Sequence, residues 1–295
     1  MKQHAQWEAS LFELIRRTSV DLPPDVEQAL RRSLTGEKRG SRGRWVLETI
    51  LENVLKAREN DAPLCQDTGS LLFHFHVPSG FDTNALAAVA RVAVARATRL
   101  GYLRQNTIDS VSGDAYETNV AHGAPQFYFE QCARSTVDVR LIMKGGGSEN
   151  VGRQYSLPDA RLKAGRDLDG VRRCVLDAIA EARGNGCAPG ILGVCIGGDR
   201  ATGYEHSKEQ FLRRVDDKSE VKVLARLEDR ILRESRLLEI GPMGLGGSTT
   251  LMGVKIGALS RLPASFFVTV SYMCWALRRR GALISVNGGM KRWLY

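Results

Sequence analysis

The sequence predicts an α+β fold, a single mixed domain over residues 1–295 with helices around a small sheet. Three observations predict it. Helical and strand-like hydrophobic periods intermix along the whole chain instead of separating into halves. No linker, internal repeat or low-complexity tract divides the sequence. The 30 glycines among 295 residues collect in runs beside apolar strand-like segments, where loops usually meet ligands.

Taken in order, a helix is expected over 6–18, with Leu11, Leu14 and Ile15 on one face. Pro23 and Pro24 end it and open a second helix over 26–34. A basic, glycine-containing loop at 36–43 leads to a third over 45–58, where Trp45, Leu47, Ile50, Val54 and Leu55 recur at helical spacing. Residues 71–77 alternate and read as a strand with His74 and His76 on one face. Two such histidines can ligate a metal, but the solvated face of a sheet is the simpler reading. Asp82 opens an Ala- and Val-rich helix to about Leu100, whose small residues imply burial against a neighbour. A loop over 101–117 carries Arg104. Strands are read at 126–130 and 137–143, a helix at 167–183 and a short apolar strand at 191–196. Two charged helices within 207–238, an apolar strand at 266–273 and a basic tail from Arg278 complete the chain.

Composition narrows the function classes. Hydrophobic residues are 43% and charged residues 25% of the chain, ordinary for a globular protein. The first ten residues are polar, so no signal peptide is expected, and no apolar run approaches a bilayer span. A reducing, cytoplasmic setting follows, where disulfides are rare. The net charge of +9 admits a nucleic-acid partner. However, Lys and Arg are scattered along amphipathic helices instead of interleaving with aromatics in one run. The same charge could attract small dianions.

Six cysteines need a role. Cys132, Cys174 and Cys195 fall inside regular elements and read as small packed side chains. Cys65 instead precedes an amide and a carboxylate, Gln66 and Asp67, a triplet ill suited to a core. Cys187 sits in Gly184-Asn-Gly-Cys-Ala-Pro-Gly190, which cannot be helical, and Cys274 closes an apolar strand. No C-x-x-C occurs, so spacing gives no local zinc or ferredoxin signature. The flanks point to an iron–sulfur cluster on Cys65, Cys187 and Cys274. Three thiolates would leave one iron of a four-iron cluster without a protein ligand, and an open position makes a metal a Lewis acid. A structural zinc site, or buried thiols in a nucleic-acid-binding protein, are the alternatives.

The glycine runs do not fit nucleotide binding. In Lys144-Gly-Gly-Gly-Ser-Glu-Asn150 the lysine precedes the glycines, the reverse of a Walker loop, and 244–249 lacks the lysine. Gly145, Gly146 and Gly147 suit a nest of backbone N–H groups for a carboxylate, or a plain turn. Arg104 reads as a fork for a substrate carboxylate or as a solvated charge.

Several motifs then recur together. These are Pro63-Leu-Cys-Gln-Asp-Thr-Gly69, Arg104-Gln-Asn-Thr, the Lys144 glycine run, Gly186-Cys-Ala-Pro-Gly190 with Ile196-Gly-Gly-Asp199, Gly241-Pro-Met-Gly-Leu-Gly-Gly247 and Met273-Cys-Trp-Ala-Leu-Arg-Arg279. In this order they resemble the iron–sulfur-dependent hydro-lyases, the family of class I fumarases and L(+)-tartrate dehydratases. The likeness runs from about Glu48 to Arg280. It looks closest to the alpha subunits of the two-subunit enzymes, and Met-Cys-Trp-Ala resembles the tartrate dehydratase branch.

The resemblance implies the N-terminal domain fold of class I fumarases and a 4Fe-4S cluster with one open iron on Cys65, Cys187 and Cys274. It implies that Gln66, Asp67, Arg104, Gly145, Gly146 and Gly147 face the substrate; among these Asp67 is the local candidate for acid–base work or for orienting a base from the partner chain. The expected reaction is dehydration of a small 2-hydroxy dicarboxylate: L(+)-tartrate to oxaloacetate, or alternatively fumarate/malate interconversion. Class I fumarases carry a His upstream of the third cysteine, and Leu262 stands at that position here. A beta subunit of about 200 residues, the size of an ordinary domain, is expected to complete the site in an α2β2 assembly.

Overall fold

A computed structural model describes residues 2–295. In chain order the elements are α1 (Lys2–Val20), α2 (Pro24–Gly36), α3 (Arg42–Glu59), β1 (Ser70–Pro78), α4 (Thr83–Arg99), β2 (Gln126–Cys132), β3 (Thr136–Lys144) and a single turn, α5 (Gly146–Glu149). Then come β4 (Arg153–Ser156), α6 (Leu168–Ala182), β5 (Gly190–Ile196), α7 (Arg200–Glu209), α8 (Lys222–Ser235), β6 (Leu251–Ala258), β7 (Phe267–Met273), β8 (Arg278–Ser285) and β9 (Met290–Trp293). Contacts divide the chain into two units. Residues through Pro24, Asn53–Gly145 and Arg278–Tyr295 form the first, and Asp25–Glu52 with Gly146–Leu277 the second. Each unit has its own sheet, so the α+β class holds, with strands in two mixed sheets instead of one small one.

The first sheet runs β2-β1-β3-β8-β9, with β1 parallel to β2 and the other pairs antiparallel. The period-2 pattern of β1 sends Leu71, Phe73, Phe75 and Val77 into a core shared with Leu11, Leu14 and Ile15 of α1 and Ala90, Ala93 and Ala97 of α4. The predicted cap of α4 is present, Asp82 accepting from Ala85 N at 2.9 Å. On the other face of β1, His74 stacks on Tyr128 of β2 with centroids 4.6 Å apart. His76 Nε2 lies 3.2 Å from Glu130 Oε2. That face is therefore covered at His74 and solvated only toward His76.

The expected basic tail is not a tail. Residues 278–285 form β8, inside the sheet between β3 and β9. Arg278 and Arg279 are buried. Arg278 Nη2 donates to the carbonyls of Asp67 and Thr68 at 2.7 and 3.3 Å. The Arg279 guanidinium lies 4.8 Å over the Tyr295 ring, and Arg280 Nη2 donates to Asp21 Oδ2 at 2.7 Å. Consecutive arginines hide a strand from a hydrophobic-period reading, because the groups that compensate them are remote in sequence.

The second sheet runs β4-β7-β5-β6, with β5 parallel to β6 and antiparallel to β7. β5 is buried along its whole length, as its unbroken apolar run demands. Asp167 caps α6 by accepting from Gly170 N at 2.7 Å. Val171, Val175 and Ile179 of α6 join Leu227 and Ile231 of α8 in the core. β6 is absent from the sequence reading: Met252, Val254 and Ile256 do alternate with Gly253, Lys255 and Gly257, but two glycines in so short a run weaken the strand signal. Lys255 is buried there, its Nζ donating to the Asp217 carbonyl at 2.6 Å and to Oδ1 at 2.8 Å. No helix among the described residues is long and apolar enough to cross a membrane.

Candidate functional site

The residues selected from the sequence fall into two groups, one per unit. In the first unit, Cys65, Gln66 and Asp67 occupy the loop between α3 and β1. Buried Leu64 anchors the start of the loop. Its N–H donates to the Ser19 carbonyl at 2.9 Å, and its own carbonyl accepts from Asn53 Nδ2 at 3.0 Å. Cys65 is half-buried and Gln66 exposed. Asp67 Oδ1 accepts from Gly69 N at 2.9 Å and from Asn106 Nδ2 at 2.8 Å. Asp67 Oδ2 lies 2.9 Å from where a Cβ on Gly145 would stand, so this carboxylate rests directly on glycine backbone. Its main-chain carbonyl is the one held by Arg278.

Arg104 joins the same hydrogen-bonded block. Its Nη1 donates to Gln66 Oε1 at 3.4 Å, and both side chains are exposed. Buried Asn119, in left-handed backbone at φ 56°, organises the loop behind it. Asn119 Oδ1 accepts from the N–H groups of Asn106 and Thr107 at 2.8 and 3.1 Å, and Nδ2 donates to the Arg104 carbonyl at 2.8 Å. Thr68 Oγ1 donates to that carbonyl at 2.9 Å. Asn106 and Arg278 both lie in motifs visible in the sequence, whereas nothing local marks Asn119.

Gly69, at φ 71°, turns the chain into β1, and a Cβ there would collide with the Lys144 carbonyl. Gly69→Ala is expected to cost about 3 kcal/mol through backbone strain and overpacking. The measurement is a lower urea midpoint at unchanged slope. An unmoved midpoint would show that the loop relaxes without cost.

The second unit brings Cys187 and Cys274 to one buried tyrosine. Cys187 is exposed in the 184–190 loop with φ 55°, an unusual conformation for a side chain other than glycine. Its carbonyl accepts from Trp275 N at 3.2 Å, which ties it to the residue after Cys274. Cys274 is half-buried just beyond β7. Burial holds the Tyr272 hydroxyl well above the usual phenol range, and Cys274 and Cys187 add to that elevation. A Cβ on Gly186 or Gly190 would collide with the Tyr272 ring, so the loop lies flat against it. The hydroxyl itself is buried without a hydrogen-bond partner.

The other cysteines differ from these. Cys174 and Cys195 are fully buried in α6 and β5, and burial pushes each thiol up to about 12. Cys132 is partly exposed at the end of β2.

The donor set of the second unit fits an iron–sulfur group. A buried hydroxyl without an acceptor beside two cysteines is suited to receive sulfur that carries negative charge. Among the described residues, no group of three or more His, Cys, Asp and Glu is placed to hold a single metal ion.

The glycine runs have separate roles. Gly145 backs Asp67 in the first unit, while Gly146 and Gly147 open the turn α5 in the second. Beside the 241–247 loop, buried Glu37 accepts from Thr249 N at 2.7 Å and Ser248 Oγ at 3.2 Å. A carboxylate of the chain itself takes those donors.

The fumarate hydratase (fumerase) family model matches residues 8–282. The chain belongs to that family. The match reaches well before Glu48 and takes in α2 and most of α1. A provisionally named class I fumarate hydratase of Geobacillus stearothermophilus is 47% identical over 290 residues, 97% of this chain and 56% of that protein. The chain thus spans about half the length of that relative. The L(+)-tartrate dehydratase subunit alpha of Escherichia coli K12 is 30% identical over 268 residues, 90% of this chain and 86% of that subunit. A provisionally named L(+)-tartrate dehydratase subunit alpha of Methanocaldococcus jannaschii is 30% identical over 274 residues, 91% and 94% of the two chains. Within the fumarate hydratase family, identity is therefore higher to a protein named for fumarate. Coverage is fuller for subunits named for tartrate. The Met-Cys-Trp-Ala ending does not decide between them.

Proposed function

We propose that this fumarate hydratase family member is the cluster-holding part of a hydro-lyase acting on a small 2-hydroxy dicarboxylate. The observation that carries the reading is the hydrogen-bonded block that fixes Asp67 two residues from Cys65, with Gln66 and Arg104 on the same block. Cys65, Cys187 and Cys274 are the thiolates assigned to a 4Fe-4S cluster. When bound, that cluster supplies an iron without a protein ligand as Lewis acid for the departing hydroxyl.

The chain's own groups then do the following. Arg104 and Gln66 hold a substrate carboxylate, the guanidinium through its planar N–H fork. Backbone N–H groups at Gly145, Gly146 and Gly147 add donors for negative charge. Asp67, its plane fixed by Asn106 and Gly69, holds or moves the proton that accompanies loss of water. A beta subunit supplies the remaining contacts in an α2β2 assembly. Support for this comes from relatives named as alpha subunits. A reducing, cytoplasmic setting suits thiolate ligands.

Fumarate and L-malate are the first substrates to test, because the 47% identical relative is named for fumarate. Dehydration of L(+)-tartrate to oxaloacetate is the second reading, favoured by matches over 86% and 94% of two tartrate dehydratase alpha subunits. The test is anaerobic assay of the chain with its partner, reconstituted with iron and sulfide, on L-malate and on L-tartrate. Conversion of either supports the reading and names the substrate. A fully loaded complex that turns over neither would sink it.

A further inference from the structure

We propose that Tyr272 is a positioning residue that donates its buried hydroxyl hydrogen bond to sulfur at the Cys187–Cys274 end of the site. The inference rests on the reading of these cysteines as cluster ligands and deepens it.

A buried hydroxyl left unpaired costs about 1–3 kcal/mol. Tyr272 is 2% exposed, and its hydroxyl has no partner in the chain. Ordinary core packing does not account for a tyrosine here, since phenylalanine would fill the same space without that cost. The surroundings say what the hydroxyl awaits. It projects past Gly190 at the end of the Cys187 loop, where a Cβ would collide with the phenol oxygen. Its own strand ends at Met273, directly before Cys274. Strand pairing fixes this placement, with Tyr272 opposite Leu192 and Met273 opposite Ile191. The Trp275 N–H bond to the Cys187 carbonyl, at 3.2 Å, joins the two cysteine-bearing segments around the ring.

A donor aimed at cluster sulfur stabilises the more negative, reduced state and so raises the reduction potential. It also holds the thiolate it contacts in one orientation. Tyr272→Phe keeps the ring against Gly186 and Gly190 and removes only the oxygen.

The experiment compares the full chain, loaded anaerobically with iron and sulfide, as wild type, Tyr272→Phe and Tyr155→Phe. The last loses a different buried phenol bond, the one Tyr155 donates to Asp177 at 2.8 Å. Iron and sulfide content is measured first, and then the one-electron midpoint potential by spectroscopic titration. The expected result is equal loading in all three, a midpoint shifted to more negative potential in Tyr272→Phe, and none in Tyr155→Phe. Equal midpoints in wild type and Tyr272→Phe would overturn the inference while leaving the cluster reading intact. A wild-type chain that takes up no iron and sulfide would overturn both.

Discussion

Cys187→Ala is expected to leave the chain unable to hold its brown chromophore, while Cys195→Ala keeps it. The two substitutions remove the same atom from opposite environments. Cys187 is exposed on a loop held flat against Tyr272 and tied to the segment beyond Cys274. Alanine there meets the same backbone requirement at φ 55°, so the loss falls on ligation instead of folding. Cys195 lies at 0% exposure inside β5, with its thiol pushed up to about 12 by burial. A thiol so disfavoured as thiolate makes a poor ligand, and trimming it costs stability on the order of 1 kcal/mol through lost packing. Visible absorbance and iron content after anaerobic loading are the measurements. Retained colour in Cys187→Ala with loss in Cys195→Ala would show that the wrong thiols had been chosen.

Asp67→Asn is expected to lower kcat by roughly 10²- to 10⁴-fold, the usual worth of a positioned acid–base group, with iron and sulfide content unchanged. Asparagine has nearly the same shape, and its carbonyl oxygen can still accept from Gly69 N and Asn106 Nδ2, now 2.9 and 2.8 Å from Asp67 Oδ1. The loop should therefore keep its form. What changes is proton capacity, because a neutral amide replaces a carboxylate resting on Gly145. Steady-state kinetics on the better substrate, with KM recorded alongside, make the test. An unchanged kcat in the loaded complex would remove Asp67 from the chemistry. A raised KM alone would make it a binding group.

The sequence revealed those parts of the molecule whose meaning is local. Asp82 and Asp167 announce helix starts, and both accept from a backbone N–H three residues on. The alternation of β1 and the apolar run of β5 state their burial directly. Cys65, Cys187 and Cys274 stand out because each sits where a packed thiol has no reason to be. What stays hidden depends on partners far along the chain. Arg278 is 211 residues from the carbonyl it holds, so its run reads as surface charge. Lys255 needs Asp217, 38 residues away, before it makes sense inside a strand. Tyr272 looks like any core aromatic until its oxygen is seen without an acceptor.

The position of β8 bears on how the protein is made. It pairs with β3 on one side and β9 on the other, yet it is translated only after Cys65, Cys187 and Cys274. Until Arg278–Ser285 emerges, β3 keeps a bare edge of unpaired amides, a template for association with other nascent chains. A message cut short just past Cys274 would thus encode all the proposed sulfur ligands and still yield a sticky, unfinished first unit.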